Sequence, residues 1–240
     1  MAMPEHLAVD TSFRLSLGSD PRNTFTGAHC EDFGRYMAAT GVYDTSGANN
    51  PGWAGVTEFF PTVGKFRVTP SAGDQNVWEC PCAPGIFYDS LSACESVAPC
   101  RPGLGGCLQK CGGFPGVCLT ATVRLPVTGP VRTSFLRWVP PSATAACRAA
   151  ISDFDAAVLK HENRHKADAA RILADAQASP AQTFKACAKT KQDAKVKLAQ
   201  LVHQAARDQV DAMSKAYADS VAAFHETPAG RPVSMDCGAC

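Results

Sequence analysis

The chain has 240 residues, of which 45% are hydrophobic and 19% charged, and a formal net charge of +1. That length and apolar content suffice to bury a sizeable core in one large domain or two small ones. The near-neutral charge argues against a broad basic face for nucleic acid and against an acidic tail, and no apolar run approaches the length of a membrane span.

Twelve cysteines are far more than a cytosolic chain of this size usually carries, and the even count suits an oxidising compartment. The expected location is therefore secreted or periplasmic. Connectivity is not readable, since twelve half-cystines allow roughly ten thousand pairings. The first twenty residues lack a basic start followed by an apolar core, so no signal peptide is visible; a leader removed from this chain or another export route is expected.

Residues 1–64 are rich in Gly, Asn, Thr and Pro, with turn signals at Ser19-Asp20-Pro21 and Ser46 to Gly52, which predicts short strands joined by loops. Residues 30–39 read as a short helix. His29 beside Cys30 suggests either a metal ligand pair or a disulfide cysteine next to an exposed histidine, and the second is the expectation. Residues 65–69 and 76–79 read as strands joined by a turn after Pro70. Cys80, Cys82, Cys94, Cys100, Cys107, Cys111 and Cys118 then follow among Gly and Pro. Few large apolar side chains accompany them, so crosslinks must supply the order there; the irregular spacings favour disulfides over a zinc ribbon.

Residues 119–126 and 133–139 are β-rich and flank Thr128-Gly129-Pro130, predicting a hairpin or two strands of one small sheet. Ser142 or Thr144 can cap a helix running to about Ala178, before Ser179-Pro180. A second helical stretch is predicted from about Ala181 to Phe224, which contains no Gly or Pro. Its Lys-rich start reads as a solvated face. Cys147 and Cys187 are candidates for ties to the helices, and the closing Cys237-Gly238-Ala239-Cys240 reads as structural rather than redox-active. The fold class expected is α+β. A disulfide-rich loop and β part over residues 1–118 precedes a helical domain over 119–240, made of a small β element and long helices.

Within the first long helix stands His161-Glu162-Asn163-Arg164-His165, which fits the pattern H-E-x-x-H. Residues four apart on a helix share a face, so both imidazoles can reach one metal ion while the glutamate stands beside it. Ile151, Phe154, Val158, His161, His165, Ala169, Ile172 and Ala176 recur at steps of three or four, which places both histidines in the apolar stripe. Buried histidines need partners. A metal ion supplies one; hydrogen bonds to acidic groups are the plainer alternative.

The metal expected is zinc. A catalytic zinc takes three protein ligands and keeps a position open, and Glu162 then stands to accept a proton from the attacking water and return it to a leaving amine. Asp168 is a candidate acceptor for the second ring N–H of His165, with a solvated helix carboxylate as the equal alternative. The third ligand is expected at His225, which ends a helix before a Pro-Gly loop. Helix arithmetic leaves His203 open: two helices folded back around residue 184 would put His203 level with His165 and His225 roughly 30 Å from the motif.

Val123-Arg124-Leu125-Pro126, Trp138 and the run from Val158 to His165 together resemble a bacterial family described as predicted secreted zinc-dependent proteases. Its members place an LP-containing β segment and a Trp before an H-E-x-x-H helix. A second family motif, approximately Y-D-x-E-T-x-H-G, is similar to Phe224-His225-Glu226-Thr227-Pro228-Ala229-Gly230, but its aspartate falls on Phe224, its histidine on Ala229, and His225 on a variable position. No ligand carries over from that motif, and His225 would act as a displaced substitute. The resemblance covers about the second half of the chain and implies a secreted zincin-like metalloprotease.

The function expected is a zinc-dependent endopeptidase with His161, His165 and His225 as ligands, Glu162 as general base and a peptide or protein as substrate. The alternative is a non-enzymatic, disulfide-stapled binding or toxin module with a structural zinc. Four protein ligands would mark the second, an open position the first.

Overall fold

The computed structural model describes residues 20–70, 75–79, 85–95 and 114–240. Residues 1–19, most of the expected turn after Pro70, and Cys80, Cys82, Cys100, Cys107 and Cys111 lie outside the described residues. The molecule is a mixed α+β protein with small sheets, four α-helices among the described residues, and three disulfides there.

In chain order the first strands are β1 (Thr24–Phe25), β2 (Val42–Tyr43), β3 (Asn49–Asn50), β4 (Gly55–Phe59) and β5 (Thr62–Val63), with helix α1 (Cys30–Ala39) between β1 and β2. There follow β6 (Gln75–Glu79), β7 (Phe87–Tyr88), helix α2 (Leu91–Glu95), β8 (Phe114–Val123), β9 (Val127–Thr128), β10 (Val131–Phe135) and β11 (Arg137–Trp138). The chain then forms the long helix α3 (Ala145–Ala178), the strand β12 (Gln182–Ala188) and the long helix α4 (Lys191–His225).

The division at residue 118 is one of composition; the compact units draw on both sides of it. Among the described residues, one unit combines those up to Thr62 with Thr128–Asp175 and Met213–Cys240, and the other combines those between Val63 and Val127 with Ala176–Ala212.

In the first unit β4 and β10 form an antiparallel pair in which Thr57 faces Thr133 and Gly55 faces Phe135. Its core gathers Phe33 of α1, Leu136, Trp138, and Phe154 and Val158 of α3. Phe33 is fully buried, stacked 5.7 Å from Trp138 and edge-on 5.6 Å from Phe154, so truncating it to alanine would cost about 3–5 kcal/mol. The Trp138 indole N–H donates to the Gly27 carbonyl at 2.8 Å, which satisfies its polar end. Two disulfides anchor the C-terminal tail in this unit: Cys237 is joined to Cys30 at the start of α1 and Cys240 to Cys147 in the first turn of α3. Both tail cysteines are thus structural, and Cys30 is the disulfide cysteine expected beside His29.

The second unit is built on a four-stranded sheet ordered β12-β8-β6-β7, antiparallel in every pairing. Leu119 and Ala121 of β8, Ala186 and Ala188 of β12, and Ala194 and Leu198 of α4 form its core. Cys118 and Cys187 are register partners and are disulfide-bonded.

Three expectations are corrected. Residues 65–69 form no strand. The two β-rich segments around Thr128-Gly129-Pro130 form neither a hairpin nor one sheet, because β8 pairs with β6 and β12 while β10 pairs with β4. Residues 182–188 are extended, and the second long helix begins only at Lys191. Seven cross-strand partners on β8 and a crosslink outweigh the helix propensity of an Ala- and Lys-containing segment. Among the described residues no helix is long and apolar enough to cross a membrane.

Candidate metal centre

Helix α3 carries the first three site residues. Thr144 caps it, its hydroxyl accepting from the Cys147 N–H at 3.1 Å, and the helix stops ahead of Pro180, where the missing N–H forbids continuation. The apolar stripe is buried along Phe154, Val158, Ala169 and Ile172 and includes His161 (6% exposed), His165 (4%) and Glu162 (2%). The sequence pattern therefore forces two imidazoles and a carboxylate inside, where each needs a partner.

The third histidine is the last residue of α4. A strand, and not a tight turn, separates the two long helices. An extended residue advances about 3.3 Å against about 1.5 Å in a helix, so seven of them displace the start of α4 by the length of about fifteen helical residues. The levelling of His203 with His165 assumes helix through residues 182–188 and so does not apply. His203 lies elsewhere, with its ring 5.2 Å from Phe66. The chain after His225 is turned back by Thr227, whose hydroxyl donates to the Phe224 carbonyl at 2.7 Å and accepts from the Gly230 N–H at 3.2 Å. Gly230 is needed there because a Cβ would fall 2.0 Å from the Phe224 oxygen. Trp53 stacks on the His225 ring at 4.6 Å, and Phe224 packs 5.0 and 5.2 Å from the rings of His161 and His165.

The three Nε2 atoms converge on one point. Their separations are 3.3 Å between His161 and His225, 3.2 Å between His161 and His165, and 3.1 Å between His165 and His225. Each ring nitrogen offers either a proton or a lone pair, so three mutually facing nitrogens cannot all be matched: at least one of the three contacts sets like against like. A cation between three lone pairs removes that conflict. The spacing also fits, because ligands about 2.0–2.1 Å from a tetrahedral ion lie about 3.3–3.4 Å apart. His161, His165 and His225 can thus hold a metal ion, and among the described residues no fourth His, Cys, Asp or Glu belongs to the group.

The electrostatics suit ligation by neutral imidazole. Burial holds the His161 pKa below its usual value, with His225 adding to the effect and the Ala229 backbone opposing it. His165 is pushed down to about 4, first by burial and then by its two neighbouring histidines. Burial lowers His225 as well. Neither reading of Asp168 holds: it is buried and makes no hydrogen bond to His165. The His165 Nδ1 has no hydrogen-bond partner, while the buried Asp168 carboxylate pairs with Arg164 at 3.3 Å and Arg171 at 3.7 Å.

Glu162 points to the β4–β10 pair. Its Oε2 accepts from the Thr57 hydroxyl at 2.8 Å, and Thr57 lies 3.0 Å from the Thr133 hydroxyl. Since the one Thr57 proton goes to the carboxylate, Thr133 donates to Thr57. The Tyr217 hydroxyl donates to the Thr57 carbonyl at 2.8 Å and so fixes β4 from α4. Gly55 lets the strand approach: a Cβ there would lie 2.6 Å from Glu162 Oε1. Burial raises the Glu162 pKa to about 7, against the opposing pull of Thr57 and of Lys166. The Tyr217 pKa is also raised, by burial first and then by the charges of Glu162, Asp168 and Glu58.

No family model, curated protein or solved structure matches this chain. Its chemistry is accordingly read from geometry. The structure brings all three expected ligands and Glu162 into one unit. The sequence singles out none of Gly55, Thr57, Thr133 and Tyr217 as a site residue. The one sequence signal for them is the alternation around Val56-Thr57-Glu58, which marks a strand with one inward threonine.

Proposed function

We propose that the protein is an exported zinc-dependent metalloprotease, with His161, His165 and His225 as the zinc ligands and Glu162 as general base. The observation that carries this reading is the convergence of three Nε2 atoms within 3.3 Å of one another beside a buried glutamate. Three neutral imidazoles are a donor set suited to catalytic zinc, which keeps its fourth position open. When bound there, zinc acts as a Lewis acid on a carbonyl and brings the pKa of water to about 7.

The chain's own residues do the rest. Glu162, with a pKa near 7 before any cation is bound, accepts a proton from the attacking water and returns it to the leaving amine. Thr57 and Thr133 hold its carboxylate in one orientation, and Tyr217 holds the strand that carries Thr57. The resemblance of the second half of the chain to predicted secreted zinc-dependent proteases points to the same zincin-like chemistry. Three disulfides suggest an oxidising compartment, which supports export.

A structural zinc in a binding or toxin module would call for a fourth protein ligand, and only three of the described residues meet. The deciding experiment compares wild type with Glu162→Gln for bound metal and peptide hydrolysis. Retained metal with hydrolysis reduced at least a hundredfold is expected; retained metal with full hydrolysis would rule out this mechanism.

A further inference from the structure

The first compact unit holds a cavity of about 370 Å³, a size that suits a small ligand or one large side chain. Phe135, Leu136, Val158 and Leu159 give it apolar walls, and Arg137 and Asp155 add one charge of each sign. The catalytic motif does not use it.

Its place on α3 ties it to Glu162. Asp155, Val158 and Leu159 precede Glu162 by seven, four and three residues, spacings that keep all four on one helix face. The rise of the helix puts them about 4.5–10 Å from Glu162 along the axis. On the opposite wall, Phe135 is the register partner of Gly55, and Gly55 is the residue whose backbone lies against the Glu162 carboxylate. Alternate side chains of an extended peptide recur about every 7 Å. A residue adjacent to the bond beside Glu162 is therefore within reach of the cavity.

The charges select against an ionic occupant. Asp20 also lines the cavity, but its carboxylate is already held by Arg22 at 2.6 Å. Arg137 and Asp155 oppose each other: burial raises the Asp155 pKa and the Arg137 guanidinium lowers it. A lysine or a glutamate entering here would meet one attractive and one repulsive charge while losing its water. An uncharged apolar side chain loses only contact with water, which favours burial.

We infer that this cavity is a substrate subsite that takes a bulky, uncharged apolar side chain, of the size of leucine or phenylalanine, from the residue next to the scissile bond. The assignment rests on the peptidase reading above. Leu159, 43% exposed, forms the rim, so it can be enlarged without disturbing the core.

The test measures kcat/KM for matched peptides bearing Phe, Ala, Lys or Glu at that position, in wild type and in Leu159→Trp, with bound metal measured in both. Wild type is expected to favour Phe over Ala by about 10- to 100-fold, and the indole is expected to reduce that ratio to about threefold or less with metal content unchanged. The same ratio in both proteins, or a wild-type preference for Lys or Glu, would overturn the assignment. Binding of N-acetylphenylalaninamide, followed by saturation-transfer NMR, gives a reading that needs no hydrolysis. If wild type cleaves nothing but binds the amide and Leu159→Trp does not, the peptidase reading fails and the apolar pocket stands. If peptides are cleaved with an unaltered ratio and the amide does not bind wild type, the subsite fails and the peptidase reading stands.

Discussion

Replacing Gly55 with alanine separates the proposed general base, Glu162, from the candidate metal ligands. The added Cβ would sit 2.6 Å from Oε1 of Glu162, 2.8 Å from Cγ and 2.9 Å from Cδ. Ordinary contact begins near 3.4 Å, so the carboxylate must retreat by about 0.8 Å. Glu162 is buried and cannot move out into water; it moves at the expense of its 2.8 Å hydrogen bond from Thr57. Overpacking of this kind costs about 1–3 kcal/mol of stability. Misplacing a catalytic group by about 1 Å costs up to about a hundredfold in rate. The ligand nitrogens are not touched, so bound metal should stay stoichiometric while kcat/KM for peptide hydrolysis falls about 10- to 100-fold. Gly116→Ala is the control, since its Cβ would meet Phe87 at 2.6 Å in the other unit, and it should lower stability without lowering kcat/KM. Gly55→Ala with full metal and kcat/KM within twofold of wild type would refute the placement of Glu162 as base.

Two further outcomes follow from the same environment. In the metal-free protein the Glu162 pKa is about 7 against an ordinary 4.5, so between those values the folded state binds more protons than the unfolded state, and this contribution to stability is lost as pH rises through 7. Metal-free Glu162→Gln should therefore be more stable than metal-free wild type at pH 8 by up to about 3 kcal/mol, the gap closing below pH 4.5, as read by urea denaturation; a gap independent of pH would contradict the buried-acid account. Tyr217→Phe leaves the Thr57 carbonyl without its donor and should cost about 1–3 kcal/mol in the same assay with metal retained, whereas an unchanged midpoint would show that the hydroxyl does not hold β4.

How much was legible in the sequence depended on whether the signal was local. α1 begins at Cys30 and α3 runs from Ala145 to Ala178 as expected, because caps, Pro180 and a 3.6-residue stripe are written within a few positions of one another. The two motif histidines and Glu162 were legible for the same reason. Gln182–Ala188 was not, since nothing inside that segment announces β8, which lies about sixty residues earlier and supplies its partners. That one misread strand also explains why His203 remained open as a ligand: the level of residues along a second helix was counted through Gln182–Ala188, which are extended. The environment of Glu162 was the least legible part. Gly55, Thr57 and Thr133 come from two strands remote from α3, and they are brought to the carboxylate by the pairing of β4 with β10.

Metal stoichiometry in wild type, His225→Ala and His203→Ala tests the central claim most directly, read by elemental analysis after dialysis against trace zinc. One zinc per chain is expected in wild type and in His203→Ala, with His225→Ala falling well below one. Full zinc in His225→Ala together with loss in His203→Ala would contradict the three-histidine centre.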